Sequence, residues 1–114
     1  MASYLIDYFE LPSSDSAKSR AFFSQAFGWK TLTYGDTYDE IREAGALAGV
    51  NGDAADRSTA PLMGVRTADI VTAEKAVLAA GGTITRQTYD YPGGKRFFFR
   101  EPGGAELMVY QPSE

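Results

Sequence analysis

FELPSSD (Phe9 to Asp15) and MGVRTAD (Met63 to Asp69) decide the fold, because each closes a strand-like run on an aspartate that can cap a helix. The helix-like runs that follow, AKSRAFFSQAFGW and VTAEKAVLAAGGT, both stop at glycine. The two aspartates stand 54 residues apart, and the same offset sets Phe22 against Ala76, Phe23 against Val77 and Gly28 against Gly82. A chain of 114 residues is therefore close to two copies of one βα-plus-strands unit. Paired units leave a cleft between them, where small-molecule binding or chemistry is expected. Two copies are too few for a solenoid.

Outward from those stretches, alternation predicts a strand over Tyr4 to Leu11, with Leu5, Phe9 and Leu11 on one face and Ile6, Tyr8 and Glu10 on the other. Pro12 and Ser13–Ser14–Asp15 end it and lead into a helix from about Ser16 to Phe27. Its apolar stripe is expected at Phe22, Phe23, Ala26 and Phe27. Strands follow at Trp29 to Tyr34, Thr37 to Glu43 and Ala46 to Asn51. The small, polar stretch from Gly52 to Ala60 reads as a linker. The second copy repeats the order: a strand over Leu62 to Thr67, a helix capped by Asp69 and running to about Ala80, then strands at Ile84 to Asp90, Lys95 to Arg100 and Ala105 to Tyr110. The turns are YPGG (Tyr91 to Gly94) and EPGG (Glu101 to Gly104), and YPGGKR is a candidate loop over the cleft mouth. The expected architecture is α+β, two βαβββ modules curving around a shared cup, each helix covering one face of its own sheet. One domain spans 1–114, with module one at about 4–51, the linker at 52–60 and module two at 61–111.

Composition narrows the chemistry. An apolar fraction of 44%, with seven Phe and seven Tyr, argues for a packed core. A chain of this length buries roughly two thirds of its unfolded surface. Net charge is −4 with no block of Lys or Arg, so no nucleic-acid footprint is expected. There is no cysteine, hence no disulfide and no thiolate chemistry, and no histidine, the commonest general base and metal ligand. Any metal site would have to be all oxygen, which suits Mg or Ca. MASYLIDYFELP is too short and too charged for a signal peptide or membrane span, so a cytoplasmic location and no membrane partner are expected.

FELPSSDSAKSRAFFSQAFGW, with FFFREPGGAELMVYQ late in the chain, resembles the vicinal oxygen chelate superfamily, which includes glyoxalase I, extradiol dioxygenases, fosfomycin-resistance enzymes and bleomycin-resistance binding proteins. The matching residues are Asp15, Phe22–Phe23 and Phe27–Gly28–Trp29, then the turn Glu101–Pro102–Gly103–Gly104, where Glu replaces the usual Asp. The resemblance runs from about Tyr4 to Gln111. It implies metal ligands on the first and last strand of each copy, at positions that here hold Tyr8, Gly49, Leu62 and Met108. That set is unsuited to a divalent metal, so no metal and no cofactor are expected. The resemblance also implies a homodimer.

Glu10, Glu106 and Tyr8 are the candidate acid–base groups, the two glutamates falling on cup-facing positions by alternation. Tyr8 also suits pocket lining, with its hydroxyl presented to a ligand. Glu10 and Glu106 have a plainer reading, one or both sitting near the rim in solvent or pairing with an arginine such as Arg66 or Arg96. Ile6, Leu62, Phe98 and Met108 would form an apolar cup interior, either a binding site or filled core, with Gly49, Gly64 and Arg66 completing the candidate ligand-binding set. In FFF (Phe97 to Phe99) the outer rings are expected under the second helix. Three functions follow: a metal-free small-molecule binder, an enzyme of lyase or isomerase type using Glu and Tyr or a carboxylate-bound Mg, and an interaction module with a closed cup and an exposed sheet edge.

Overall fold

The computed structural model describes residues 4–113; the first three residues and the last, which the expected domain includes, lie outside the described residues. The element order is β1 (Leu5–Pro12), α1 (Ser16–Phe27), β2 (Lys30–Tyr34), β3 (Tyr38–Arg42), β4 (Leu47–Asn51), β5 (Leu62–Arg66), α2 (Ile70–Ala79), β6 (Thr83–Tyr91), β7 (Gly94–Arg100) and β8 (Glu106–Pro112). This is α+β, two βαβββ modules, as the sequence predicts. The chain divides into two compact units, Tyr8–Leu62 and the chain from Met63 onward with the residues before Tyr8.

The two modules are built by the same local rules. Each opens a parallel pair, β1 with β4 and β5 with β8, and each last strand continues into antiparallel pairs, β4–β3–β2 and β8–β7–β6. Asp15 and Asp69 are both extended N-caps whose carboxylates accept from Lys18 N and Thr72 N, each at 3.1 Å. A second repeat sits just before them. Ser13 N and Thr67 N donate at 2.9 Å to the carbonyls of Asn51 and Tyr110, and their hydroxyls accept from Asp15 N at 3.0 Å and Asp69 N at 3.1 Å. A hydroxyl residue two before the cap thus ties first strand, last strand and helix together in both copies. The helices end differently: Gly28 closes α1 in the left-handed conformation (φ 70°), whereas α2 stops two residues sooner by the repeat and Gly81 takes the positive φ.

These anchors make Asn51 equivalent to Tyr110 and, by register, Val50 to Val109 and Gly49 to Met108. Val50 pairs with Asp39 and Val109 with Phe97, so Asp39 and Phe97 hold the same place. Under α2 the result is apolar: Ile70, Ala73, Phe97 and Val109 are buried, with Val65, Val77, Ile84 and Phe99 packed around them. Phe97 and Phe99 do lie under the helix.

Under α1 the expectation needs correction. Phe22, Phe23, Ala26 and Phe27 do not form a buried stripe; no residue of α1 is fully buried, and Phe22 and Phe27 are each 59% exposed. The half-buried residues are Ser16, Ser19, Arg20 and Phe23. Arg20 donates to Asp39 at 3.0 Å and to Thr33 at 3.1 Å, Thr33 donates to Asp39 at 2.5 Å, and the Ser13 and Ser19 hydroxyls are 2.7 Å apart. Both bonds to Asp39 go to one of its oxygens; the other is buried with no partner. The aromatic rings slid round the helix because a polar seam took the sheet-facing positions.

Three connecting stretches remain. The Gly52–Ala60 stretch is stitched into the first unit: Gly52 N bonds Thr37 O at 2.7 Å, Arg57 reaches Ser13 O at 2.9 Å, and Asp53 caps the turn holding Asp56 and Arg57. YPGG is the turn expected of it, a tight hairpin with Tyr91 paired to Gly94 and Gly93 O accepting from Ser113 N; of the two readings of YPGGKR, turn chemistry is the one observed. At EPGG, Glu101 replaces Asp without loss, its carboxylate accepting from Gly103 N and Ala105 N at 2.6 Å each. Those two amides hold its carboxyl below the usual range.

Candidate functional site

In the first unit the sheet face away from α1 carries Tyr8 and Glu10 on β1, Tyr38 and Glu40 on β3, and Gly49 and Asn51 on β4, because opposed residues share a face. Glu10 is 1% exposed. Its carboxylate accepts from the Tyr38 hydroxyl at 3.2 Å and from Asn51 Nδ2 at 3.1 Å. The Tyr8 and Tyr38 hydroxyls share a hydrogen bond, so with Tyr38 donating to Glu10 the proton chain runs Tyr8 to Tyr38 to Glu10. Asn51 Nδ2 also bonds Asp56 at 2.9 Å, and its Oδ1 accepts from Asp53 N. The amide thus separates two carboxylates and offers a donor to each.

Gly49 explains why the tyrosines meet. It pairs with Glu10 on one side and Glu40 on the other. A Cβ placed there meets the hydroxyls of both Tyr38 and Tyr8. Only a bare residue leaves the rings that space.

The corresponding face of the second unit has opposite chemistry. Gly64 on β5 pairs with Met108 on β8, which pairs with Phe98 on β7; Arg66 pairs with Tyr110, which pairs with Arg96. The copies trade sizes: Glu10 lies beside Gly49, whereas Gly64 lies beside Met108. Arg96 is buried; its Nε donates to the Tyr89 hydroxyl at 2.5 Å and one terminal nitrogen approaches Met108 Sδ at 3.4 Å. The guanidinium lies 4.7 Å from the Tyr91 ring centre and 5.4 Å from that of Phe98, while Arg86 stacks at 3.7 Å over Tyr89. Tyr110 donates to Asp7, which also pairs with Arg66 at 3.7 Å. Burial first, and Asp7 second, push the Tyr110 hydroxyl above its ordinary pKa, so it serves as a donor and not a base.

Of the candidate residues, the first unit brings Tyr8, Glu10 and Gly49 together. The second gathers Gly64, Arg66, Phe98 and Met108 on one face. Leu62 is buried. Ile6, expected in an apolar interior, is instead 60% exposed. Glu106 is half-buried and falls by register on the same face of β8 as Met108 and Tyr110; it accepts from Thr85 at 2.7 Å, and the Arg66 offered as its partner is engaged by Asp7. Tyr38, Asn51, Asp56, Arg86, Tyr89 and Arg96 were not among the expected site residues. Strand alternation already places Tyr38 and Asn51 on the Glu10 face once β3 and β4 are registered; nothing periodic marks Asp56.

The donor chemistry can be tested against the metal that the resemblance implies. Tyr8, Gly49, Leu62 and Met108 supply one phenol, one thioether and two positions with no donor, and the phenol is already bonded to Tyr38. These residues do not fit a divalent cation. Among the described residues no group of three or more His, Cys, Asp or Glu is placed to hold one. No helix among them is long and apolar enough to cross a membrane.

A family model described as Glyoxalase/Bleomycin resistance protein/Dioxygenase superfamily matches residues 5–109. Among curated proteins, none matches the sequence significantly. Solved structures match over nearly the whole chain. A glyoxalase/bleomycin resistance protein/dioxygenase superfamily member from Vibrio splendidus 12B01 aligns with TM-score 0.68 at 16% identity, covering 99% of this chain and 100% of that one. The NAD-dependent benzaldehyde dehydrogenase from Legionella pneumophila aligns with TM-score 0.80 at 10% identity, over 94% and 99%. The methylmalonyl-CoA epimerase from Mycobacterium tuberculosis aligns with TM-score 0.67 at 11% identity, over 96% and 88%. At such identities the likeness is one of fold, and a fold shared by differently named proteins does not choose a reaction.

Proposed function

The chain belongs to the glyoxalase/bleomycin resistance protein/dioxygenase superfamily, and from that membership we propose that it binds a small molecule without a divalent metal ion. The observation that carries this reading is Gly49. Where metal-dependent relatives are expected to place a ligand on the last strand of the first module, this chain has no side chain, and the space is taken by the hydroxyls of Tyr8 and Tyr38. A carboxylate or imidazole at position 49 has no room beside those rings. Within the first unit the rings of Tyr8 and Tyr38 add apolar contact area and their hydroxyls hydrogen-bonding tips, the mixture that small-molecule sites use.

Thermal-shift measurements with a panel of aromatic and aliphatic small molecules test it. A stabilising compound is expected whose effect persists in excess chelator and is lost in Tyr8→Ala. Stabilisation that appears only after a divalent ion is added contradicts the proposal.

A second reading, acid–base catalysis, is favoured by one specific feature. The buried Glu10 carboxylate and the Tyr38–Tyr8 hydroxyl pair form a continuous hydrogen-bonded chain, which can pass a proton without a metal. Under this reading Glu10→Gln abolishes turnover of a carbonyl substrate while leaving its binding intact. Full turnover in Glu10→Gln removes Glu10 from that role.

A further inference from the structure

We propose that the cavity between α2 and its sheet is a second small-molecule site. Its ligand carries one aromatic ring and a protonated amine on a short arm. The proposal does not depend on the Tyr8–Gly49 reading. The cavity lies wholly within the second unit, on the sheet face that α2 covers, and holds about 260 Å³. Ala73, Ala76, Val77 and Ala80 of α2 line one side, Val65 and Val109 the other. Ala73 and Val109 are buried and form its floor, while Ala76, Ala80 and Pro102 are exposed and form its mouth.

The internal repeat accounts for the space. By the 54-residue offset Ala76 answers to Phe22, Val77 to Phe23 and Thr83 to Trp29. In the first copy Phe23 is half-buried and its ring packs on Trp29 at 5.3 Å. The second copy has no ring at any of these positions, and the place beside its helix stays open. Walls of Ala and Val give water no hydrogen-bond partner, so an apolar guest is favoured there over solvent. An apolar cavity of roughly 150 Å³ stays dry and admits benzene. At about 260 Å³ this one has room for a ring and the first atoms of a substituent.

Charge selects the substituent. Among the residues of the lining, Glu101 carries the only charge. It stands beside Pro102 of the mouth, and its two oxygens accept from Gly103 N and Ala105 N at 2.6 Å each, which fixes the carboxylate in place. An ionised carboxylate has about four acceptor sites, so those bonds leave capacity for an ammonium group. A ring bearing its own carboxylate is repelled by Glu101, in a chain whose net charge is −4.

NMR titration of the full chain with 2-phenylethylamine, ethylbenzene and 3-phenylpropionate tests the site. The amine is expected to shift the amide signals of Ala73, Ala76 and Val109 saturably and to bind severalfold tighter than ethylbenzene, with the carboxylate weaker than either. Val77→Phe, which gives the second copy the ring of the first, is expected to weaken amine binding about tenfold or more. Ala76→Leu narrows the exposed mouth and is expected to act in the same direction, which decides the matter if Val77→Phe fails to fold. Tyr8→Ala leaves amine binding unchanged, separating this site from the one in the first unit. The proposal is overturned by an absence of saturable shifts at these residues, or by an amine that binds no tighter than ethylbenzene or 3-phenylpropionate. Affinity unchanged in both Val77→Phe and Ala76→Leu, or lost in Tyr8→Ala, overturns it equally.

Discussion

Phe97 and Asp39 occupy one place in two copies of the same unit, and they hold the helix above them by opposite means. Phe97, fully buried, anchors α2 through Ile70, Ala73 and Val109. Asp39, 1% exposed, anchors α1 through Arg20 and Thr33. The 54-residue offset carries the difference along the helix, Ile70 and Ala73 answering to Ser16 and Ser19. The topology therefore tolerates either an apolar or a polar seam, provided strand ends and caps are kept. The caps are kept: Ser13 with Asp15, and Thr67 with Asp69, make the same bonds. A polar seam leaves apolar residues to spare, and in the first copy they surface as Phe22 and Phe27.

The largest effect expected from this contrast is in the apolar copy. Phe97→Ala should cost about 3–5 kcal/mol in urea unfolding, since it empties a packed core. Asp39→Ala should cost less, about 1–3 kcal/mol, because Arg20 reaches solvent and is rehydrated when its partner goes. The seam itself can be converted. Arg20→Leu, Thr33→Val and Asp39→Leu together should leave stability unchanged or raised, as buried ion pairs replaced by apolar residues often do. If that triple variant loses as much as Asp39→Ala, the polar seam is required and the two copies are not interchangeable.

Next in size is the crowding at Gly49. Gly49→Ala should cost about 1–3 kcal/mol through overpacking against Tyr8 and Tyr38. Adding Tyr38→Phe, which removes one of the two contacting hydroxyls, should recover part of the loss. Equal stability of Gly49→Ala and wild type would mean the rings are free to leave the glycine.

The smallest effect is electrostatic. Hydrogen bonds from Thr72, side chain first and backbone second, hold the Asp69 carboxyl below its ordinary pKa, as amides do for Glu101. A depressed folded pKa stabilises above the unfolded value, near 4, and that contribution disappears as pH falls through the folded value. Stability should therefore decline on acidification below about pH 4, and Asp69→Asn, which keeps a capping oxygen but cannot titrate, should flatten the decline. An unchanged slope in that variant would place the titrating groups elsewhere.

Much of this was legible in the sequence because it is local or periodic. The two capping aspartates, the glycine stops, the strand alternation and the FFF orientation all follow from residues within a turn or a strand of one another. What was not legible depends on long-range pairing. The alternation of YDEIR is the same whether Asp39 faces solvent or a helix, and only the β3–β4 register puts it under α1. Phe22, Phe23 and Phe27 have core-like spacing, so the spacing misled; the deciding fact was that Arg20 found a buried acid. In the candidate site, Tyr8 and Glu10 came from strand alternation, and Gly49 from the family resemblance. Asn51 and Asp56 join them through side-chain bonds spanning 41 and 5 positions, which leave no periodic trace.

The hydroxyls of Tyr8 and Tyr38 fill the space above Gly49, and a metal-binding protein would need that space for its ion. Isothermal titration of chelator-treated protein with Mn(II), Mg(II) and Zn(II), followed by elemental analysis after dialysis, measures whether an ion is held. No stoichiometric uptake is expected, with the ligand-induced thermal shift unchanged throughout. One tightly held divalent ion per chain, lost in Tyr8→Phe, would contradict the account, because the Tyr8 phenol would then be a metal ligand and not a neighbour of Tyr38.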